Sequence, residues 1–108
     1  MKTDRKELAN GYAMLSDLTR LNILLVLAKG PMNVTGLCKA LKKRQPIVSN
    51  HLGILRMSRL VVGTRTGKQV IYETDKAALK ALSAGIGSLV RKEDLSVPKT
   101  SSASKRSR

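Results

Sequence analysis

The 108-residue sequence has no tryptophan, no phenylalanine and only two tyrosines, Tyr12 and Tyr72. Any core must therefore be aliphatic. The stacking platforms that single-stranded nucleic acid and RNA require are also missing, which disfavours RNA as a partner. A single cysteine, Cys38, rules out an intrachain disulfide and a dithiol switch, and it fits a reducing compartment. His51 is the only histidine, so there is no second imidazole for general acid–base work. There is also no glycine-rich phosphate loop and no paired carboxylates outside the termini. The sequence reads as a protein that is not an enzyme and carries no cofactor. Leu21 to Ala28 is apolar but far too short to cross a bilayer, and Lys2, Asp4, Arg5, Lys6 and Glu7 interrupt any signal-like run. A soluble cytoplasmic protein without a membrane partner is expected.

Negative charge is scarce as well. Seven acids face 21 bases, for a formal net charge of +14. From Leu18 to Tyr72 there is no acid at all, whereas Arg20, Lys29, Lys39, Lys42, Lys43, Arg44, Arg56, Arg59, Arg65 and Lys68 all fall in that interval. A solvated face normally mixes signs, so a one-sign interval of this length points to a polyanionic partner, nucleic acid first and a membrane surface second.

What the chain does contain is helical periodicity that gives way to alternation. Thr3 to Leu15 reads as a first helix with Leu8, Tyr12 and Leu15 on one stripe and Gly11 as a weak point. Ser16 or Asp17 caps a second helix running to Ala28, apolar almost all round through Leu21, Leu24, Leu25 and Leu27 and therefore central to the core. Gly30-Pro31 ends it. Asn33 caps a short helix, Val34 to Leu41, that buries Val34, Leu37 and Leu41. Lys42 to Arg44 then turn into a helix from Pro46 to Met57, with proline at its start where a missing N–H costs nothing.

On a helical wheel that last segment splits in two. Ile47, Val48, Leu52, Ile54 and Leu55 gather on one side; Gln45, Ser49, Asn50, Gly53 and Arg56 gather on the other. Amides, a hydroxyl and an arginine on one face can read base edges in a major groove. Two short helices joined by a tight basic turn form a helix-turn-helix candidate. Val61 to Arg65 and Gln69 to Glu73 flank Thr66-Gly67-Lys68 as a basic-tipped hairpin, the arrangement of a winged helix. Thr74 or Asp75 caps a final helix to about Arg91, with Leu79, Leu82, Ile86 and Leu89 at 3-4-3 spacing among alanines and glycines. Such a helix is marginal alone and needs a partner surface, either the first helix of its own chain or the same helices of a second copy.

The expected architecture is mainly α with a small β-hairpin, α-α-α-α-β-β-α. Residues 1–92 form a DNA-binding and dimerisation domain and 93–108 a disordered basic tail. The DNA-binding set is Lys42, Lys43, Arg44, Gln45, Pro46, Ser49, Asn50, Arg56, Arg65 and Lys68, and a homodimer is expected through Leu8, Tyr12, Leu79, Leu82, Ile86 and Leu89. His51, near the apolar side of the wheel, is either edge-packed or a DNA contact. Cys38 reads as a small core residue, and Met14, Met32 and Met57 as gap-fillers.

Three stretches resemble the ArsR/SmtB winged-helix repressors. They are Leu15-Ser16-Asp17-Leu18-Thr19-Arg20-Leu21-Asn22-Ile23-Leu24, the segment Gln45 to Leu52 with Leu55-Arg56 and Leu60-Val61, and Thr64 to Tyr72. The resemblance covers roughly residues 8 to 90. It implies a homodimeric repressor of a near-palindromic operator, released by an effector whose nature the sequence leaves open. The chain departs from the family's metal sensors. Where some carry Cys-x-Cys it has Asn33 and Thr35, and Thr74 to Lys92 contains no histidine. A four-coordinate site needs converging N, S or O ligands, so no metal is expected. Arg44 also stands where such helices often have a serine cap, which places a cation there instead. The competing functions are a non-specific architectural DNA protein, suggested by the excess charge, and a protein-interaction module.

Overall fold

The computed structural model describes residues 4–90 and divides them into seven elements. These are α1 (Arg5–Met14), α2 (Leu18–Leu27), α3 (Val34–Leu41), α4 (Gln45–Met57), β1 (Val61–Thr66), β2 (Gln69–Thr74) and α5 (Lys76–Val90). The polar residues at the helix starts do what their chemistry suits them for. Asp17 Oδ1 accepts from the Arg20 backbone N–H at 3.0 Å, Asn33 Oδ1 from Gly36 at 2.8 Å and Asp75 Oδ1 from Ala78 at 3.1 Å.

The core is aliphatic. Ile23, Leu24 and Leu27 of α2 meet Leu37 of α3, Val48, Leu52 and Leu55 of α4, then Leu60, Val61 and Leu82. The two tyrosines lie partly buried against it. The hairpin is antiparallel, from Val61 opposite Thr74 to Thr66 opposite Gln69. Only two residues, Gly67 and Lys68, make its turn. Gly67 takes φ +64° in the first central position and Lys68 has no positive φ, the pattern of a type II′ turn. One further pairing has no signature in the sequence. Met32, between α2 and α3, exchanges two backbone hydrogen bonds with Tyr72 (3.0 and 2.7 Å), an isolated antiparallel bridge beside the two-stranded sheet. Among the described residues no helix is long and apolar enough to cross a membrane.

α1 and α5 pack on each other within one chain. The Tyr12 hydroxyl donates to the Leu82 carbonyl at 2.7 Å. Gly11 is buried at this contact: a Cβ there would lie 2.6 Å from Leu82 Cδ2, the end of a flexible side chain. A Cβ on Gly85 would run into the Tyr12 hydroxyl.

Several apolar residues are not where the periodicity put them. Leu25 faces solvent at 57% exposure, so α2 is not buried all round. Ile47 is 42% exposed, since it lies about 100° around α4 from the fully buried Val48. Met57 is 85% exposed at the last residue of α4 and fills no gap, whereas Met14 and Met32 do pack on the core. Element ends differ by a residue or two: α1 ends at Met14, α2 at Leu27, and each strand is one residue longer than expected. The expected tail, 93–108, lies outside the described residues.

Candidate nucleic-acid interface

The turn before α4 is built from three bases in a row. α3 ends on Lys42 in the left-handed region (φ 57°, ψ 45°), a conformation that a residue with a Cβ occupies at a cost of about 1 kcal/mol or more. Arg44 then takes the N-cap position with extended backbone and makes no side-chain cap hydrogen bond. Pro46 follows in the first turn. Together these leave the N-terminus of a 13-residue helix uncapped by any side chain, with Lys42, Lys43 and Arg44 exposed beside it. The Ile47 and Val48 N–H groups both bond to the Arg44 carbonyl (3.1 and 3.2 Å) and Pro46 has none, so what favours an anion here is the positive end of the helix dipole together with the three bases.

Along α4 the two faces separate, Ile47 excepted. Val48, Leu52 and Leu55 are buried, while Gln45, Ser49, Asn50 and Arg56 are exposed. The inward leucines fix the outward direction of the polar residues. Eight of the ten expected DNA-binding residues (Lys42 to Pro46, Ser49, Asn50 and Arg56) thus sit on the α3–α4 turn and one exposed side of α4. The other two, Arg65 and Lys68, are exposed on the separate hairpin, at the end of β1 and in its turn.

His51 belongs to neither cluster. Its Nδ1 lies 3.4 Å from an Arg20 guanidinium nitrogen and 4.0 Å from Asp17 Oδ1. Arg20 Nε in turn donates to the Met14 carbonyl at 3.1 Å. The imidazole is therefore packed at the edge of α4 and ties that helix to the start of α2 and the end of α1. The Asp17 carboxyl is held below its ordinary value near 3.8, chiefly because it accepts the Arg20 backbone N–H. Partial burial opposes this, and the charges of His51 and Arg20 add to it. Cys38 is partly buried against the core.

The residues expected at a dimer interface divide between two environments. Leu82 is buried, and Leu8, Tyr12 and Leu79 are partly buried, all in the packing of one chain. Ile86 (50%) and Leu89 (73%) remain exposed on the far half of α5, next to exposed Val90.

Sequence reasoning missed the links that brace these clusters. The Asn33 amide donates to Gln69 Oε1 at 2.6 Å, joining the start of α3 to the hairpin. The partners are 36 positions apart, and no local pattern connects them.

The family described as "Bacterial regulatory protein, arsR family" matches residues 17–62, from the cap of α2 to the first strand. The arsenical resistance operon repressor of Escherichia coli K12 is 44% identical over 62 residues, which is 56% of this chain and 53% of that protein. The biofilm growth-associated repressor of Xylella fastidiosa is 34% identical over 77 residues, 71% of this chain and 68% of that one. Among solved structures, a homodimeric winged helix-turn-helix DNA-binding domain from Mycobacterium bovis superposes with a TM-score of 0.65 at 26% identity, over 82% of this chain and 89% of that one. The match to the Escherichia coli relative spans about half of that protein's length.

Proposed function

Because this chain belongs to the ArsR family of bacterial regulatory proteins, we propose that it is a DNA-binding transcriptional repressor, acting as a homodimer on a near-palindromic operator in the cytoplasm. The observation that carries this reading is the uncapped start of α4, flanked by Lys42, Lys43 and Arg44 and continued by exposed Gln45, Ser49 and Asn50. In a major groove the bases at the turn hold phosphates, and Gln45 and Asn50 address base edges. The hairpin brings Arg65 and Lys68 to the flanking backbone or minor groove.

Dimerisation is supported by the apolar far half of α5, where Ile86, Leu89 and Val90 lie exposed, and by the homodimeric state of the Mycobacterium bovis domain. Two-fold symmetry then sets two half-sites about one helical turn apart. Metal has no part in this reading. The soft-ligand positions hold Asn33 and Thr35, and His51 is engaged with Arg20.

The test is a band shift and footprint on the protein's own promoter region against a scrambled duplex of equal length. A protected near-palindrome at moderate salt supports a sequence-specific repressor. Equal affinity for both duplexes removes specificity and leaves the architectural reading, which the +14 charge favours.

A further inference from the structure

The hairpin is rooted in the core by buried Val61 of β1 and held to the helical body by hydrogen bonds at two places on β2. One is the backbone pair between Met32 and Tyr72, with hydrogen bonds of 3.0 and 2.7 Å. The other is the side-chain bond from Asn33 to Gln69, at the residue where the turn ends and β2 begins. Asn33 has two jobs at once. Its Oδ1 caps α3 by accepting from Gly36, while its amide nitrogen reaches Gln69. The hairpin is thereby tied to the N-cap of the helix that leads into the Lys42–Arg44 turn.

The spacing of the two anchors matters. At about 3.3 Å per strand residue, Lys68 lies about 13 Å from Tyr72 but only about 3 Å beyond Gln69. If only the Tyr72 anchor held, a swing of about 10° would carry Lys68 by about 2 Å, well outside the range of a hydrogen bond to a fixed phosphate. With Gln69 held as well, the same strand cannot pivot about a single point.

We propose that Asn33 and Gln69 form a latch that sets the angle of the hairpin relative to α4, so that they are positioning residues for the phosphate contacts of Arg65 and Lys68. This rests on the DNA-binding reading above. Neither latch residue touches DNA in it. Their role is to make the hairpin and the reading helix arrive together.

Two variants separate this role from the cap and from the fold. Asn33→Ser keeps a good capping oxygen for Gly36 but is too short to reach Gln69. Gln69→Thr removes the other partner and keeps a residue suited to a strand. Binding to a fluorescent duplex of about 30 base pairs, long enough for two half-sites a helical turn apart, is measured from low to moderate salt. Every phosphate that the protein ceases to neutralise flattens the slope of log affinity against log salt by about 0.9, so one phosphate released per protomer of a dimer changes it by about 2. Each single variant is expected to show that flattening, with the melting temperature lowered by no more than the loss of one exposed hydrogen bond allows, and Asn33→Ser/Gln69→Thr is expected to add nothing to either. Slopes equal to the parent protein's, or effects that sum in the double variant, overturn the latch. If the unsubstituted protein shows no salt-dependent binding to any duplex, it is the DNA-binding reading that fails.

Discussion

Two glycines in the middles of helices should respond to alanine with opposite signs. Gly53, in α4, has nothing within 4 Å of the place a Cβ would occupy. Gly53→Ala therefore gains only the helix propensity of alanine, about 1 kcal/mol. For a domain of this size that raises the melting temperature by about 4–8 °C. Gly85, in α5, gains the same propensity, but its Cβ would run into the Tyr12 hydroxyl. That hydroxyl then cannot keep its 2.7 Å bond to Leu82, a loss of about 1 kcal/mol. Displacing the ring from a packed interface costs about 1–3 kcal/mol more. Taken together, Gly85→Ala destabilises by about 1–3 kcal/mol. Tyr12→Phe is the control: it removes the obstructing oxygen, after which the Leu8 methyl carbons, at 3.3 and 3.4 Å, are the nearest atoms to the new Cβ. In that background Gly85→Ala should cost markedly less. Urea and thermal unfolding followed by far-ultraviolet circular dichroism measure all four proteins. Equal signs for Gly53→Ala and Gly85→Ala, or a Gly85→Ala cost indifferent to Tyr12→Phe, would refute the account of how α1 meets α5.

Three further outcomes are expected. Replacing Lys42, Lys43 and Arg44 by glutamine should weaken binding to operator and scrambled duplex alike. The salt slope should flatten by about 0.9 for every phosphate contact removed, and fluorescence anisotropy across a salt series reads both. Gln45→Ala or Asn50→Ala should instead reduce the preference for operator by about 1–3 kcal/mol per bidentate base contact, with scrambled-duplex affinity nearly unchanged in the same competition assay. Asp17 contributes stability above the unfolded carboxylate range near 3.8, because its folded pKa is depressed. That contribution is lost as the pH falls through the lower folded value. Asp17→Asn, which still caps α2, should therefore show a shallower loss of melting temperature on acidification than the parent protein.

Local chemistry is what made most of this fold legible. Asn33 and Asp75 announce helix starts, Pro46 sits at the only kind of helical position that tolerates it, and Gly67 marks the turn. Each acts on neighbours within four residues, and each is where the sequence put it. Burial was less legible. Leu25 and Met57 are apolar yet solvent-facing because, at about 100° per residue, they lie on the side of their helices away from the buried Ile23, Leu24 and Leu27 and the buried Val48, Leu52 and Leu55, and Ile47 lies at the margin. The bracing bonds were not legible at all. Arg20 meets His51 across 31 positions and Asn33 meets Gln69 across 36, and only the folded topology creates those pairs. The polar face of α4 could be read from a wheel, but what holds that face and the hairpin in register could not.

The placement of the two phenols has a spectroscopic consequence. With no indole to dominate the near-ultraviolet, emission and dichroism from this protein come from Tyr12 and Tyr72 alone. One sits at the joint between the first and last helices, and the other pairs its backbone with Met32 at the root of the hairpin. Removing either by a phenylalanine exchange assigns the remaining signal to a single joint. Unlabelled protein can thus report, separately, motion at the joint of α1 with α5 and motion at the root of the hairpin.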